Sequence, residues 1–433
     1  MTYLLIMRAL RPPATLATRI FSSDGRNITT GAYGPFWRLL LRNLTGKILH
    51  PSSVRRYAAA RRSAAEGLVA GITMQMLRGE GEGEAAGIVV LDDLLHRAVF
   101  HVLISMCFGV GLDDGVVASI ASLQKEFLST AVGFQVFGAH PSALTKLLFR
   151  GRYEKLLSIR RRHEELFAPL IRARRARHAA ADNDDVACYV DSLLDITVSE
   201  DVDGGGRRNQ LTETEMLVHR VLVRRRGLHH HRATVTTANV VARPEIQAKL
   251  RAEIRHVIAS AGADDDNGVQ LDDDEHLPQI PYLRAVVLEA LRRHPPGRFM
   301  VPRAAAEEGG ATLHGFRVPR HVSVNFTLGD MAMDEAVWPD PQRFRPERLL
   351  PGGEGKNVDL TGSREINMMP FGVGWRMCPG VDVSLLHLEW FVANMVREFK
   401  WKEVPGQPVD FAEKLVLTMV MARSLRAMVV PCS

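Results

Sequence analysis

Cys378 stands alone in the stretch Phe371-Gly-Val-Gly-Trp-Arg-Met-Cys-Pro-Gly380, and its thiol is the group there with the most chemistry to offer. Gly374 and Gly380 permit backbone conformations and close approaches that a side chain would block, so the loop can wrap a flat ligand. Arg376 sets a fixed cation two residues before the sulfur. An apolar run follows Pro379 (Leu385, Leu386, Leu388, Trp390, Phe391, Val392) and predicts a helix. The N-terminus of that helix would face the sulfur and favour thiolate. With no second cysteine nearby, a thiolate suits iron rather than structural zinc, which takes four ligands. The alternative is a buried structural cysteine in a glycine-rich turn.

A second constellation lies upstream. In Pro281-Tyr-Leu-Arg-Ala-Val-Val-Leu-Glu-Ala-Leu-Arg-Arg-His294, Glu289 and Arg292 are spaced i, i+3 and share one helix face. Their neighbours are strongly apolar, where an unpaired charge would be expensive. Arg348 follows in Phe344-Arg-Pro-Glu-Arg348.

Phe371, Gly374, Arg376, Cys378 and Gly380 match the F-x-x-G-x-R-x-C-x-G signature without a gap, and on these residues the chain resembles a cytochrome P450. The resemblance makes Cys378 the proximal ligand of heme iron, the cofactor being heme b, iron protoporphyrin IX. It also makes Glu289, Arg292 and Arg348 a buried Glu-Arg-Arg network behind the heme loop. Arg303, in Pro302-Arg303, falls where the family sets a basic residue against a heme propionate. Tyr33-Gly-Pro-Phe-Trp-Arg-Leu-Leu-Leu-Arg42 resembles the helix bearing a W-x-x-x-R pair that reaches the propionates. Trp37 is in place, but the fourth position after it is Leu41, and Arg42 comes one step late. One residue turns a helical side chain by about 100°. Trp37 is therefore a heme contact or an ordinary core aromatic, and the arginine contact is in doubt. The segments Leu386-His-Leu-Glu-Trp-Phe-Val-Ala-Asn-Met and 409–431 look most like plant family 89.

The elements that must hold these residues are mostly helical. The chain has 433 residues, 46% of them apolar, enough for one large core. Its four cysteines form no C-x-x-C pair, which fits a reducing compartment without disulfides. Residues 52–80, 92–130 and 143–178 carry helical spacing, the last with a basic face read as solvated (Arg150, Arg152, Arg160, Arg161, Arg162, Arg172, Arg174, Arg175). Short strands are expected over 309–327. The fold class is thus mainly α with a small β-region, the cytochrome P450 fold. A single domain is expected over 31–433, and 1–30 reads as an atypical N-terminal segment without the family's anchor and first sheet. No window of eighteen apolar residues predicts a transmembrane helix. Five of the six excess positive charges sit in residues 217–235, so the basicity is local and no nucleic-acid face is indicated.

That local anomaly occupies the place of the distal helix. Leu217-Val-His-Arg-Val-Leu-Val-Arg-Arg-Arg-Gly-Leu-His-His-His-Arg-Ala-Thr-Val235 lacks the A-G-x-x-T-like kink of the family, so no catalytic side chain can be assigned there. It would turn arginines and histidines toward an apolar pocket, at several kcal/mol for each charge buried unpaired. Read literally, His229, His230 and His231 could bind a metal, although adjacent residues point to different sides of a helix. Read as a shifted frame, one permitted back-translation of Val218–Val235 taken one base later restores Ala-Gly and Thr-Thr elements.

Three functions follow from the resemblance. The first is a monooxygenase that inserts one atom of O2 into a small hydrophobic molecule. Its partner would be NADPH-cytochrome P450 reductase, and its setting, as a monomer, the cytosolic face of the endoplasmic reticulum membrane. The second is an inactive heme-binding remnant, which residues 217–235 favour for the chain as written. The third is an oxygen-independent isomerase or dehydratase, whose members usually also alter the cysteine loop, unaltered here.

Overall fold

The computed structural model describes residues 10–11, 15–79, 87–138, 142–180, 187–198, 210–218, 227–260, 271, 275–305, 311–313, 315–319, 322–361 and 366–432. Helices make up 61% of it. At the centre lies the helix Gly227–Val241, packed against Asp92–Phe108, Pro281–Arg293 and Val381–Glu398. The last of these buries Val383, Leu385, Leu388, Trp390, Phe391, Val392, Met395 and Val396. Apolar residues on every side mark a helix that belongs inside a core rather than on a surface. Local chemistry sets the boundaries. Asp113 caps Asp114–Ala131 by accepting from the amides of Gly115 and Val116, at 2.9 and 3.1 Å. Gly109, at φ +90°, ends Asp92–Phe108 in a conformation that L side chains avoid.

Strands are few and short. Arg426–Pro431 is the middle strand of an antiparallel sheet, between Ile88–Val90 and Phe399–Lys402. A second sheet pairs Arg303–Ala305 with Leu10–Arg11 and Ser323–Val324, and two hairpins (Ala311–Leu313 with Phe316–Val318, Glu413–Val416 with Thr418–Met421) complete the β-region.

Residues 15–30, read as part of an atypical segment, do not stand apart from the core. Leu16–Ser22 is a helix capped by Thr15, and Phe21 is buried with its ring centroid 4.7 Å from that of Phe127. Seven residues make only two turns, too few to show a period. Nor is the basic helix, Arg150–Ala179, solvated throughout. Arg160 and Arg174 are buried, and acids on other elements meet its cations: Glu126 takes Arg162, and Glu213 takes Arg172 in a bidentate pair. Arg174 pairs with Asp191 through two hydrogen bonds of 2.6 and 2.7 Å. Residue type alone does not tell a solvated arginine from one matched by a distant carboxylate.

The Arg174–Asp191 pair yields a pH prediction. Burial pushes the Asp191 carboxyl up, but the Arg174 guanidinium and the Cys188 amide more than offset this and hold it below the usual carboxylate range. The folded pKa is the depressed one, so the contribution is full above the unfolded value of about 3.9 and is lost as pH falls through the folded one. Asp191→Asn should cost about 3–5 kcal/mol at neutral pH by leaving Arg174 buried alone. The deficit, measured by denaturant unfolding, should shrink in acid; a pH-independent deficit would show that the charge is not what matters.

Candidate heme site

The cysteine loop is closed by its own backbone. The Cys378 amide donates to the Phe371 carbonyl at 2.9 Å, and the Met377 amide donates to Gly374 at 3.0 Å across the short turn Gly374–Arg376. Gly372 and Gly374 both sit at positive φ, +70° and +72°. Gly374 is the glycine expected from its position in the motif; Gly372 gave no signal beyond its residue type. Gly380 has an ordinary φ of −98°, so backbone freedom is not its reason. A Cβ there would meet nothing within 4 Å, and the residue lines a cleft together with Cys378. The helix Val381–Glu398 starts at once, secured by the Ser384 amide and hydroxyl donating to the Gly380 carbonyl at 2.9 and 2.6 Å. Phe371 is half-buried against the main core.

Trp37, Leu41, Ile28, Val301 and Arg303 line the same cleft as Cys378. Leu41 occupies the wall and Arg42 is exposed, as the one-residue displacement implies. Arg303 is buried on a strand of the small sheet. Trp37 is buried and donates its indole N–H to the Ile28 carbonyl at 2.9 Å, so this donor serves the 28–31 turn. Arg376 donates to the same carbonyl at 3.4 Å and to Gly31 at 2.6 Å, with its guanidinium carbon 4.5 Å from the centre of the Trp37 ring. Burial pushes the Arg376 guanidinium down to about 10, and no described carboxylate pairs with it. A desolvated cation beside a thiol and an open glycine fits a flat ligand that brings its own carboxylates, as heme does. These residues can hold that group.

Behind the loop, Glu289, Arg292 and Arg348 have fully buried side chains. Arg292 grips Glu289 with two hydrogen bonds, at 2.8 and 2.9 Å, and Arg348 adds one at 3.2 Å. The Arg345 amide donates to the same carboxylate at 3.0 Å. The remaining guanidinium N–H groups are used on carbonyls: those of Ala332 and Pro341 for Arg292, and those of Pro339, Asp340 and Arg343 for Arg348. Two residues were not legible beforehand. Glu354 accepts from Arg348 at 2.7 Å and also pairs with the Arg345 guanidinium, which adds a second carboxylate to the network. Trp338, fully buried, lies under both guanidinium groups, 5.3 and 6.0 Å from their carbons. Neither holds a fixed spacing to the pair.

The anomalous stretch is only partly described. His219, Arg220, Arg224, Arg225 and Arg226 lie outside the described residues, as does the His229 side chain. The described residues of the stretch, 217–218 and 227–235, are helical. Arg232 is buried, but its two terminal nitrogens donate to the His294 and Met419 carbonyls, and burial pushes its guanidinium down to about 10. Thr234, Thr236 and Thr237 return their hydroxyls to carbonyls one turn back, at 3.0, 2.7 and 2.9 Å. The His230 and His231 rings lie 3.8 Å apart, and burial, with Arg232 and His96 beside it, pushes His231 down to about 3. Among the described residues no three ligating side chains come together to hold a metal.

The comparisons agree with this geometry. The family model of cytochrome P450 matches residues 8–429. Cytochrome P450 89A9 of Arabidopsis thaliana is 37% identical over 430 residues, covering 97% of this chain and 80% of that protein. Cytochrome P450 78A11 of Oryza sativa subsp. japonica is 30% identical, covering 92% and 69%. A zebrafish cytochrome P450 structure with progesterone superposes with a TM-score of 0.74 at 20% identity, over 98% of this chain and 89% of that one. The chain belongs to the cytochrome P450 family of heme monooxygenases.

Proposed function

We propose that the chain derives from a monooxygenase that inserts one atom of O2 into a small hydrophobic molecule, taking electrons from NADPH-cytochrome P450 reductase. The observation that carries this reading is the closed loop around Cys378, opening on a cleft with a desolvated Arg376 and no Cβ at Gly380. Cys378 would ligate the iron of heme b, and Arg376, with Arg303 beside it, would take the propionates once Arg376 exchanges the Ile28 and Gly31 carbonyls for them. Trp37 would pack against the macrocycle edge. Glu289, Arg292, Arg348 and Glu354 hold the loop's support rigid. The bound heme supplies the oxygen chemistry, and the thiolate raises electron density on its iron.

A second reading is favoured by one observation. Arg232, buried on the central helix, is tied to the His294 and Met419 carbonyls, a cation on the helix that the resemblance sets over the distal heme face. On that reading the chain as written binds heme without turning over. An oxygen-independent isomerase or dehydratase has no observation in its favour. The setting we propose is the cytosolic face of the endoplasmic reticulum membrane. No described helix is long and apolar enough to cross a membrane.

The test is spectroscopic. The reduced carbon monoxide complex should show the red-shifted Soret band of thiolate ligation. Cys378→Ala should abolish that band, while Cys432→Ala, at a half-buried cysteine, should keep it. A band that survives in Cys378→Ala would overturn the assignment.

A further inference from the structure

Three aromatic rings touch in succession between the cleft wall and the surface. Trp37, 5% exposed, lines the cleft with Cys378. The Tyr33 ring centroid lies 5.5 Å from that of Trp37, and Trp375 stacks on Tyr33 at 4.4 Å with the planes 28° apart. Tyr33 and Trp375 are 44% and 40% exposed. Spacings and tilts of this kind are those of aromatic rings in direct contact. Trp375 belongs to the cysteine loop and Tyr33 precedes the Trp37 helix, so the stack bridges two elements of the cleft.

We propose that Trp37, Tyr33 and Trp375 form a one-electron relay between the heme cleft and solvent, which drains oxidising equivalents that meet no organic substrate. The relay rests on the heme reading above. Indole and phenol are the side chains from which an electron is most readily removed, apart from sulfur. Arg376, over the Trp37 ring, opposes a positive charge resting there. Tyr33 can instead pass its phenolic proton to water and hold a neutral radical. The oxidant is hydrogen peroxide acting through the bound cofactor. One electron leaves Trp37 and is replaced from Tyr33, whose proton goes to water. Trp375 then refills Tyr33, and a soluble reductant such as ascorbate refills Trp375. Two such passages, with two protons, reduce one peroxide to two waters.

The experiment treats the heme-loaded chain with hydrogen peroxide in the absence of organic substrate and of ascorbate. Freeze-quench electron paramagnetic resonance should detect a tyrosyl radical. Peptide mass spectrometry should find oxygen adducts on Tyr33 and Trp375 but not on the fully buried Trp338. Tyr33→Phe keeps the ring stack but should abolish the radical and the Trp375 adducts, with faster bleaching of the Soret band. Trp375→Phe should leave the tyrosyl radical longer-lived. The relay is overturned if Trp375 adducts persist in Tyr33→Phe or form equally in the heme-free protein, since peroxide would then attack directly. Heme uptake without a radical overturns the relay alone; absence of heme uptake overturns the cofactor assignment with it.

Discussion

Arg292→Leu is expected to yield no soluble, heme-loaded protein. Leucine removes both hydrogen bonds to Glu289 and orphans the Ala332 and Pro341 carbonyls that Arg292 now serves. It leaves Glu289 with Arg348 and the Arg345 amide only, in a site with no solvent access. Breaking a buried ion pair from one side costs about 3–5 kcal/mol. Whole domains hold only about 5–15 kcal/mol. The loss should therefore show as absent protein rather than as slower turnover. Arg292→Lys keeps the charge but loses the planar fork, and should fall between the two. Soluble Arg292→Leu with full heme content would show that the network is dispensable.

The second large effect concerns the central helix. A chain in which Val218–Val235 is replaced by Cys-Thr-Glu-Phe-Leu-Ser-Ala-Ala-Gly-Ala-Ser-Thr-Thr-Thr-Ala-Leu-Gln-Trp should consume reductant when supplied with reductase and oxygen, and the chain as given should not. The motive is the conflict between composition and position. Both flanks look ordinary for the family, while the stretch between them carries five arginines and no acid. In the structure Arg232 has found carbonyl partners and the helix itself forms; what the replacement would restore is the Ala-Gly and Thr-Thr elements that the resemblance expects there. Heme content separates the two explanations for failure, since a chain that loads heme but stays idle is blocked rather than unfolded. Turnover by the arginine-rich chain, together with a transcript that encodes it, would overturn the shifted-frame account.

How much of the site could be read in advance depended on how local the physics was. The Cys378 loop and the Glu289–Arg292 contact are set by residues a few positions apart, so their spacing carries the information. Gly374 needs its positive φ for a turn three residues long. Asp191 completes a charge pair made in space by chain that returns to Arg174 from another element, and Glu354 meets Arg348 across irregular chain, so no period announces either. Arg160 and Arg174 were misread for the same reason: a helix's charge pattern shows which residues share a face, not what covers that face. The helix Leu16–Ser22 was invisible because its order comes from Phe127 and the surrounding aromatics rather than from its own propensity.

The middle strand of the first sheet also dictates when folding can finish. Met428 pairs with Ile88 on one edge and with Lys402 on the other, so the strand at 88–90 gains its neighbour only after residues 426–431 have been synthesised. Contacts this distant in sequence are slow to form, and the apolar surface waiting for them is open to aggregation meanwhile. Helices such as Ala58–Gly79 and Asp92–Phe108 can form and pair while the ribosome is still elongating. Closure of the sheet therefore waits until residues 426–431 have been made, about 340 residues after its first strand.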